Sequence, residues 1–160
     1  MPTVKEVLND TKKRLKEQGI DTYSLDSSLL VSEVTGLTKI QLVTHDRDEV
    51  TEEQINRLEN LVKERLKNKP MQYILGHCEF MGLDFKVTEN TLIPRGDTEN
   101  IVEEVIATIE NSGYNTVLDM CTGTGAIAIS VAHYTKAKVT ASDISSKALE
   151  VARENAKILN

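Results

Sequence analysis

The chain has 160 residues, 39% of them hydrophobic and 28% charged, the balance of a folded globular protein rather than a disordered one. This is length for one domain, or for a small domain plus part of another. A net charge of −6 without a basic tract argues against unaided binding to a phosphate backbone. Tryptophan is absent and aromatics make up 4%, too few for a stacking platform for single strands.

Read in order, Thr3-Val4-Lys5-Glu6 is a capping box, and Val4, Val7, Leu8 and Leu15 recur at helical spacing up to Gly19. A second helix is predicted from Ser24 to Thr35, with Leu25, Leu29 and Leu30 inward and Gly36 as its stop. Thr38 to Gln41 repeats the box and opens a short helix toward His45. A third box, Thr51 to Gln54, starts the longest helix, whose buried stripe is Ile55, Leu58, Leu61, Val62 and Leu66. Pro70 suits the first turn of a short helix from Met71 to Leu75. Residues 1–75 thus read as a helical bundle, and its 12 basic and 13 acidic side chains as solvated helix faces without a catalytic constellation.

The pattern changes at Gly76. Cys78-Glu79-Phe80 and Leu83 to Val87 alternate with period two around Met81-Gly82, the signature of a β-hairpin. Leu92-Ile93-Pro94-Arg95-Gly96-Asp97-Thr98-Glu99 then leads into a helix with Ile101, Val102, Val105, Ile106 and Ile109 on its apolar face. Next come a strand ending at Asp119 and Met120, a helix over Ala126 to Ala132, a strand over Lys138 to Ser142, and a last helix with Ala148, Leu149, Ala152, Ala156 and Leu159. The domain reading is therefore 1–75 helical, 76–96 hairpin and linker, and 97–160 an α/β segment. The overall class is a two-part α+β chain.

Val117 to Gly125 organises the second half. Its apolar, β-favouring start predicts a strand buried on both faces. Strand, glycine turn and helix together let backbone N–H groups approach a polar ligand. Asp119 lies at the strand end that faces the ligand crevice of open α/β sheets. Asp143, about 20 residues past the glycines, stands where an acid accepts hydrogen bonds from ribose hydroxyls. Gly123 to Ala128 also reads as G-x-G-x-x-A, a dinucleotide fingerprint. An acid two residues before Cys121, however, repels a pyrophosphate and favours a cationic or zwitterionic ligand. S-adenosylmethionine, a sulfonium-bearing amino acid joined to adenosine, is such a ligand, and D-x-x-x-G-x-G resembles motif I of the class I methyltransferases.

Cys78 and Cys121 lie far apart without metal-ligand spacing, as expected of reduced thiols in a cytoplasmic protein. His45, His77 and His133 lack ligand spacing as well, so no metal is expected. No signal-like segment follows the first Met, and no run approaches the roughly 20 apolar residues of a membrane span. The expectation is a cytoplasmic protein with no membrane or nucleic-acid partner.

Several motifs occur here in one order: Pro70 to Gly76, Glu79 to Leu83, Leu92 to Arg95, Val117 to Ile129, and Asp143 to Leu149. Together they resemble the start of a release-factor glutamine methyltransferase, the protein-(glutamine-N5) methyltransferase (PrmC/HemK) family, over essentially the whole chain. The resemblance implies a helical substrate-recognition domain, a connecting hairpin, and the first part of a Rossmann-like class I methyltransferase domain. It implies S-adenosyl-L-methionine as cofactor and peptide-chain release factors as partners, methylated at the glutamine of Gly-Gly-Gln. By that likeness Asp119 and Cys121, Thr122, Gly123, Thr124 and Gly125 hold the methionine part, Asp143 holds the ribose, and Leu92, Arg95 and Thr98 line the reaction pocket. Cys121 stands where relatives often have Gly, and Gly96 replaces the second proline of Pro-Arg-Pro, removing a fixed φ.

The family's acceptor motif, Asn-Pro-Pro-Tyr, follows a fourth strand, and there the Asn side chain and a proline carbonyl orient a weakly nucleophilic amide. These 160 residues reach only the second strand and its helix. They are accordingly expected to be an N-terminal portion with no catalytic residue of its own, inactive alone, with an open sheet edge prone to self-association. A non-catalytic protein-binding module built on the helical bundle is the alternative reading, and a dinucleotide oxidoreductase a more distant one.

Overall fold

Three Thr-based boxes set the starts of helices in the N-terminal part, and each is formed in the computed structural model, which describes residues 1–159. Thr3 and Glu6 exchange side chain-to-backbone hydrogen bonds at the start of α1 (Val4–Glu17). Thr51 and Gln54 do the same at α4 (Glu52–Leu66). Thr38 and Gln41 close the turn before α3 (Gln41–Thr44). Each box satisfies donors that a helix start leaves without intrahelical partners. With α2 (Tyr23–Thr35) and α5 (Met71–Leu75), these helices form a compact unit, Met1–Leu75, around Val4, Leu15, Leu30, Val31, Val50 and Val62.

One residue of the expected stripe turns out differently. Leu25 is 49% exposed rather than inward. Its neighbour Asp26 points into the bundle instead, where Oδ2 accepts from Arg65 Nε of α4 at 2.8 Å and from the Thr22 hydroxyl at 2.8 Å. Asp26, Leu30 and Val34 share one stripe at four-residue spacing, and Leu25 lies a quarter-turn off it. Burying the ion pair therefore sets the rotation of α2.

The second unit, Gly76–Asn160, begins with the antiparallel hairpin of β1 (His77–Phe80) and β2 (Leu83–Lys86). Its two turn residues, Met81 (φ 53°) and Gly82 (φ 71°), are both left-handed, as a twist-matched two-residue hairpin loop requires. The turn is held from outside. Glu99 accepts from Met81 N at 2.7 Å, and the Tyr134 hydroxyl donates to Met81 O at 2.7 Å. Phe80 and Phe85 are fully buried and meet edge to face, with centroids 6.2 Å apart. They join Val102, Ala126, Ile129 and Val131 in one core. The hairpin, read from the sequence as part of a linker, packs one face, through Phe80 and Phe85, into the core of the second unit.

After the hairpin come a single 3-10 turn (Gly96–Thr98), α6 (Glu99–Ser112), β3 (Thr116–Met120), α7 (Ala126–Tyr134), β4 (Lys138–Ser142) and α8 (Ser146–Leu159). β3 and β4 are parallel, with Thr116 opposite Lys138 and Met120 opposite Ser142, joined by α7 as a β-α-β unit. The expectation that β3 is buried on both faces is corrected. Leu118 and Met120 are 60% and 70% exposed, and β3 pairs with β4 alone among the described residues. Side chains alternate between the two faces of a strand. Val117 and Asp119 face the helices, while Leu118 and Met120 lie on a face that no described element covers. Ile101 of α6, expected inward, is likewise 58% exposed. No described helix is long and apolar enough to cross a membrane.

Candidate functional site

Between β3 and α7 the chain turns through Cys121, Gly123 and Gly125, at φ 65°, 57° and 83°. Three left-handed residues within five positions make a tight reversal that only glycine enters without strain. Cys121 takes this conformation with a side chain. The two glycines serve different ends. A Cβ on Gly125 would lie 2.9 Å from Ile129 Cδ1 and 3.2 Å from Ala152 Cβ, so this glycine lets the turn seat directly on α7 and α8. A Cβ on Gly123 would meet nothing within 4 Å, and this position opens toward space that a ligand can fill.

Hydrogen bonds hold the turn at every residue but the first. Thr122 N donates to Ser142 O at the end of β4 (2.9 Å), and Gly125 N to Thr122 O (2.9 Å). Asp119, 8% exposed, accepts from the Thr122 hydroxyl at 2.6 Å. Asp143, just beyond β4, accepts from Gly123 N at 2.9 Å through one oxygen and from Ser145 N at 2.9 Å through the other. These two backbone donors, Ser145 first and Gly123 second, hold the Asp143 carboxyl below the ordinary carboxylate range. An ionised carboxylate has about four acceptor sites. Backbone donors at Ser145 and Gly123, with Ile144 beside them, take up most of that capacity and leave the remainder for further donors.

A cleft of about 420 Å³ opens beside the turn. Cys121, Thr122, Gly123 and Thr124 form one side, and Leu92, Arg95 and Thr98 another, so residues far apart in sequence share one cavity. Asp119, Gly125 and Asp143 are not among its lining residues; the two carboxylates hydrogen-bond Thr122 and Gly123 of the turn. Phe80, Ile93, Pro94, Ala126 and Ile127 complete the lining. Sequence reasoning did not assign these to a site, because their apolar character marks them equally as core. Arg95 is the one charged side chain among the lining residues. Ala126 and Ile127 belong to the first turn of α7, where N–H groups lack intrahelical partners and the helix end is electropositive. The Cys78 thiol hydrogen-bonds toward Pro94 O at 3.8 Å. Burial first, and then Asp84, Glu79 and Glu99, push its pKa up, away from nucleophilic character.

Comparison with known proteins gives two family matches: the PrmC N-terminal domain over residues 6–76 and a methyltransferase domain over residues 117–160. The chain is 41% identical over 158 residues to the release factor glutamine methyltransferase of Clostridium acetobutylicum, covering 98% of this chain and 55% of that protein. The Moorella thermoacetica protein of the same name is 40% identical, with 98% and 56% covered. That of Fusobacterium nucleatum is 41% identical, with 97% and 44% covered. The chain spans about half the length of the curated relatives it matches. Over nearly its whole length it is similar to the release factor glutamine methyltransferases.

Proposed function

We propose that this chain carries the cofactor site of an S-adenosyl-L-methionine-dependent enzyme that methylates the N5 amide of the Gly-Gly-Gln glutamine in peptide-chain release factors. The observation that carries the reading is the shared cleft. The Leu92–Thr98 segment and the glycine turn, each assigned to the site by family likeness, line one cavity. A cleft of about 420 Å³ is of the size that takes small-molecule ligands, and its donor set suits this cofactor. Gly123 leaves its flank open, and Asp143 keeps part of its acceptor capacity for a ribose after bonding Gly123 and Ser145. When bound, the cofactor supplies an electrophilic methyl group on a sulfonium.

The chain's own part is binding and orientation. Cys121 to Thr124 and the first turn of α7 would face the amino-acid portion of the cofactor. Asp119, fixed by the Thr122 hydroxyl, places negative charge next to that turn, where it favours an ammonium over a phosphate. Asp143 would take the ribose, and Leu92, Arg95 and Thr98 would form the wall on the acceptor side. The helical unit, matched by the PrmC N-terminal domain, would recognise the release factor.

The test is a calorimetric titration of the chain with S-adenosylhomocysteine and, separately, NADH. Saturable binding of the first, weakened by Asp143→Ala, and none of the second is the expected result. NADH binding without S-adenosylhomocysteine binding would overturn the reading in favour of a dinucleotide site. Partner recognition is checked by labelled residues 1–75 titrated with a release factor, where absence of binding removes that assignment.

A further inference from the structure

The Thr124–Gly125 peptide turns about the ψ of Thr124 and the φ of Gly125, and Gly125 is left-handed at 83°. Glycine permits both signs of φ, so on its Gly125 side this peptide plane is held only by the hydrogen bonds at its two ends. Its N–H end donates to Thr122 O at 2.9 Å. Its C=O end accepts from Asn155 Nδ2 of α8 at 2.9 Å. Asn155 is completely buried, although it lies on a helix whose stripe at 148, 152 and 159 is otherwise apolar.

The same carboxamide also reaches the hairpin. Asn155 Oδ1 accepts from Lys86 N at 2.8 Å, and Nδ2 donates to Lys86 O at 3.0 Å. To the end of β2 the side chain thus presents the acceptor and donor of a neighbouring strand. Both N–H bonds of the amide are used, one on the hairpin and one on the turn. Three residues earlier on α8, Ala152 lies where a Cβ on Gly125 would approach it to 3.2 Å. One face of α8 therefore both makes room for the turn and fixes its peptide plane.

We propose that Asn155 is a positioning residue for the cofactor turn, locking the Thr124–Gly125 peptide against rotation and tying it to the hairpin strand. The inference rests on the reading of this turn as the cofactor site, and it also makes a claim about the turn that holds without ligand. An aspartate at 155 keeps the acceptor for Lys86 N but turns a carboxylate oxygen toward two carbonyls. A leucine, with the same branched outline and no polar atom, removes all three bonds. Glu154, beside it, pairs with Lys86 Nζ at 2.5 Å and links the same helix to the same strand without touching the turn.

The experiment compares the parent chain with Asn155→Asp, Asn155→Leu and the control Glu154→Gln. It uses nitrogen-15 NMR of the backbone amides together with S-adenosylhomocysteine titration. The two Asn155 variants are expected to broaden the Gly123 and Gly125 amide resonances while the β3 and β4 resonances stay sharp. They should also weaken S-adenosylhomocysteine binding about tenfold, the effect of losing roughly one net hydrogen bond. Glu154→Gln should change neither. If the parent does not bind S-adenosylhomocysteine, the cofactor reading fails, and the amide resonances still decide the role of Asn155. Sharp Gly123 and Gly125 resonances in both variants would overturn the proposal. So would loss of β3 and β4 protection along with the turn, which would assign Asn155 to the fold as a whole.

Discussion

The two units of this chain are held together by different kinds of information. In Met1–Leu75 most contacts that define the fold begin as local signals. Three boxes start the helices, and apolar stripes at helical spacing close over one core. A single buried ion pair, Asp26 with Arg65, then sets how two helices meet. In Gly76–Asn160 the decisive contacts are long-range. Glu99 and Tyr134 hold a hairpin turn, Asp143 reaches back to Gly123, and Asn155 bridges Lys86 and Thr124. The helical unit closes its apolar stripes over one core, with Leu25, Ile40 and Val43 left exposed. The second unit is organised around a loop whose shape its neighbours impose, and it leaves Leu118 and Met120 uncovered. A scaffold for binding needs such imposed geometry, because a ligand site must hold conformations that local preferences do not select.

The largest effect that can test this contrast is expected in the helical unit. Arg65→Met leaves Asp26, whose side chain is 4% exposed, without its cation. Removing one partner of a buried pair costs about 3–5 kcal/mol. Amide exchange should show the loss confined to residues 1–75. Equal loss in the second unit would mean that the two do not fold independently.

Next in size is Gly125→Ala. A side chain there must adopt φ 83° and sit 2.9 Å from Ile129 Cδ1. Left-handed strain and overpacking together should destabilise the second unit by about 2–4 kcal/mol, read from urea denaturation. Gly123→Ala is strained as well but meets no neighbouring atom, so it should cost less; the reverse order would contradict the division of roles between the two glycines.

A smaller change of opposite sign is expected at Cys121. Its φ of 65° favours glycine, and Cys121→Gly should stabilise the second unit by about 0.5–1 kcal/mol, strain relief exceeding the added backbone entropy of the unfolded chain. An unchanged denaturation midpoint would show that the turn bears no strain there.

The smallest effect is a pH dependence. The Asp143 carboxyl is held below its ordinary value by backbone donors at Ser145 and Gly123. A depressed folded pKa contributes stability that is fully present above the unfolded value, about 3.9. That contribution is lost as pH falls through the still lower folded value. Acid titration should therefore speed exchange of the Gly123 amide before that of the β3 amides, and Asp143→Asn should flatten this difference. Simultaneous loss of both would place the acid sensitivity elsewhere.

Local chemistry by itself determined much of this protein. Capping boxes, helical stripes, the Met81-Gly82 hairpin and the strand–glycine–helix passage are each written within a few consecutive residues, where backbone preference and hydrophobic period act directly. The same stretch named the turn residues, and its family likeness added Leu92, Arg95 and Thr98 to them. Tertiary structure decided the rest. Leu25 faces out because an ion pair with a residue of another helix outweighs a leucine's preference for burial. Leu118 and Met120 are exposed because an apolar residue records only its affinity for a core, not whether another element arrives to cover it. Asn155, one polar side chain in an apolar stripe, was visible as an exception. Its partners, Lys86 and Thr124, were not, because a hydrogen bond between residues far apart in the chain exists only once folding has brought both ends to one place.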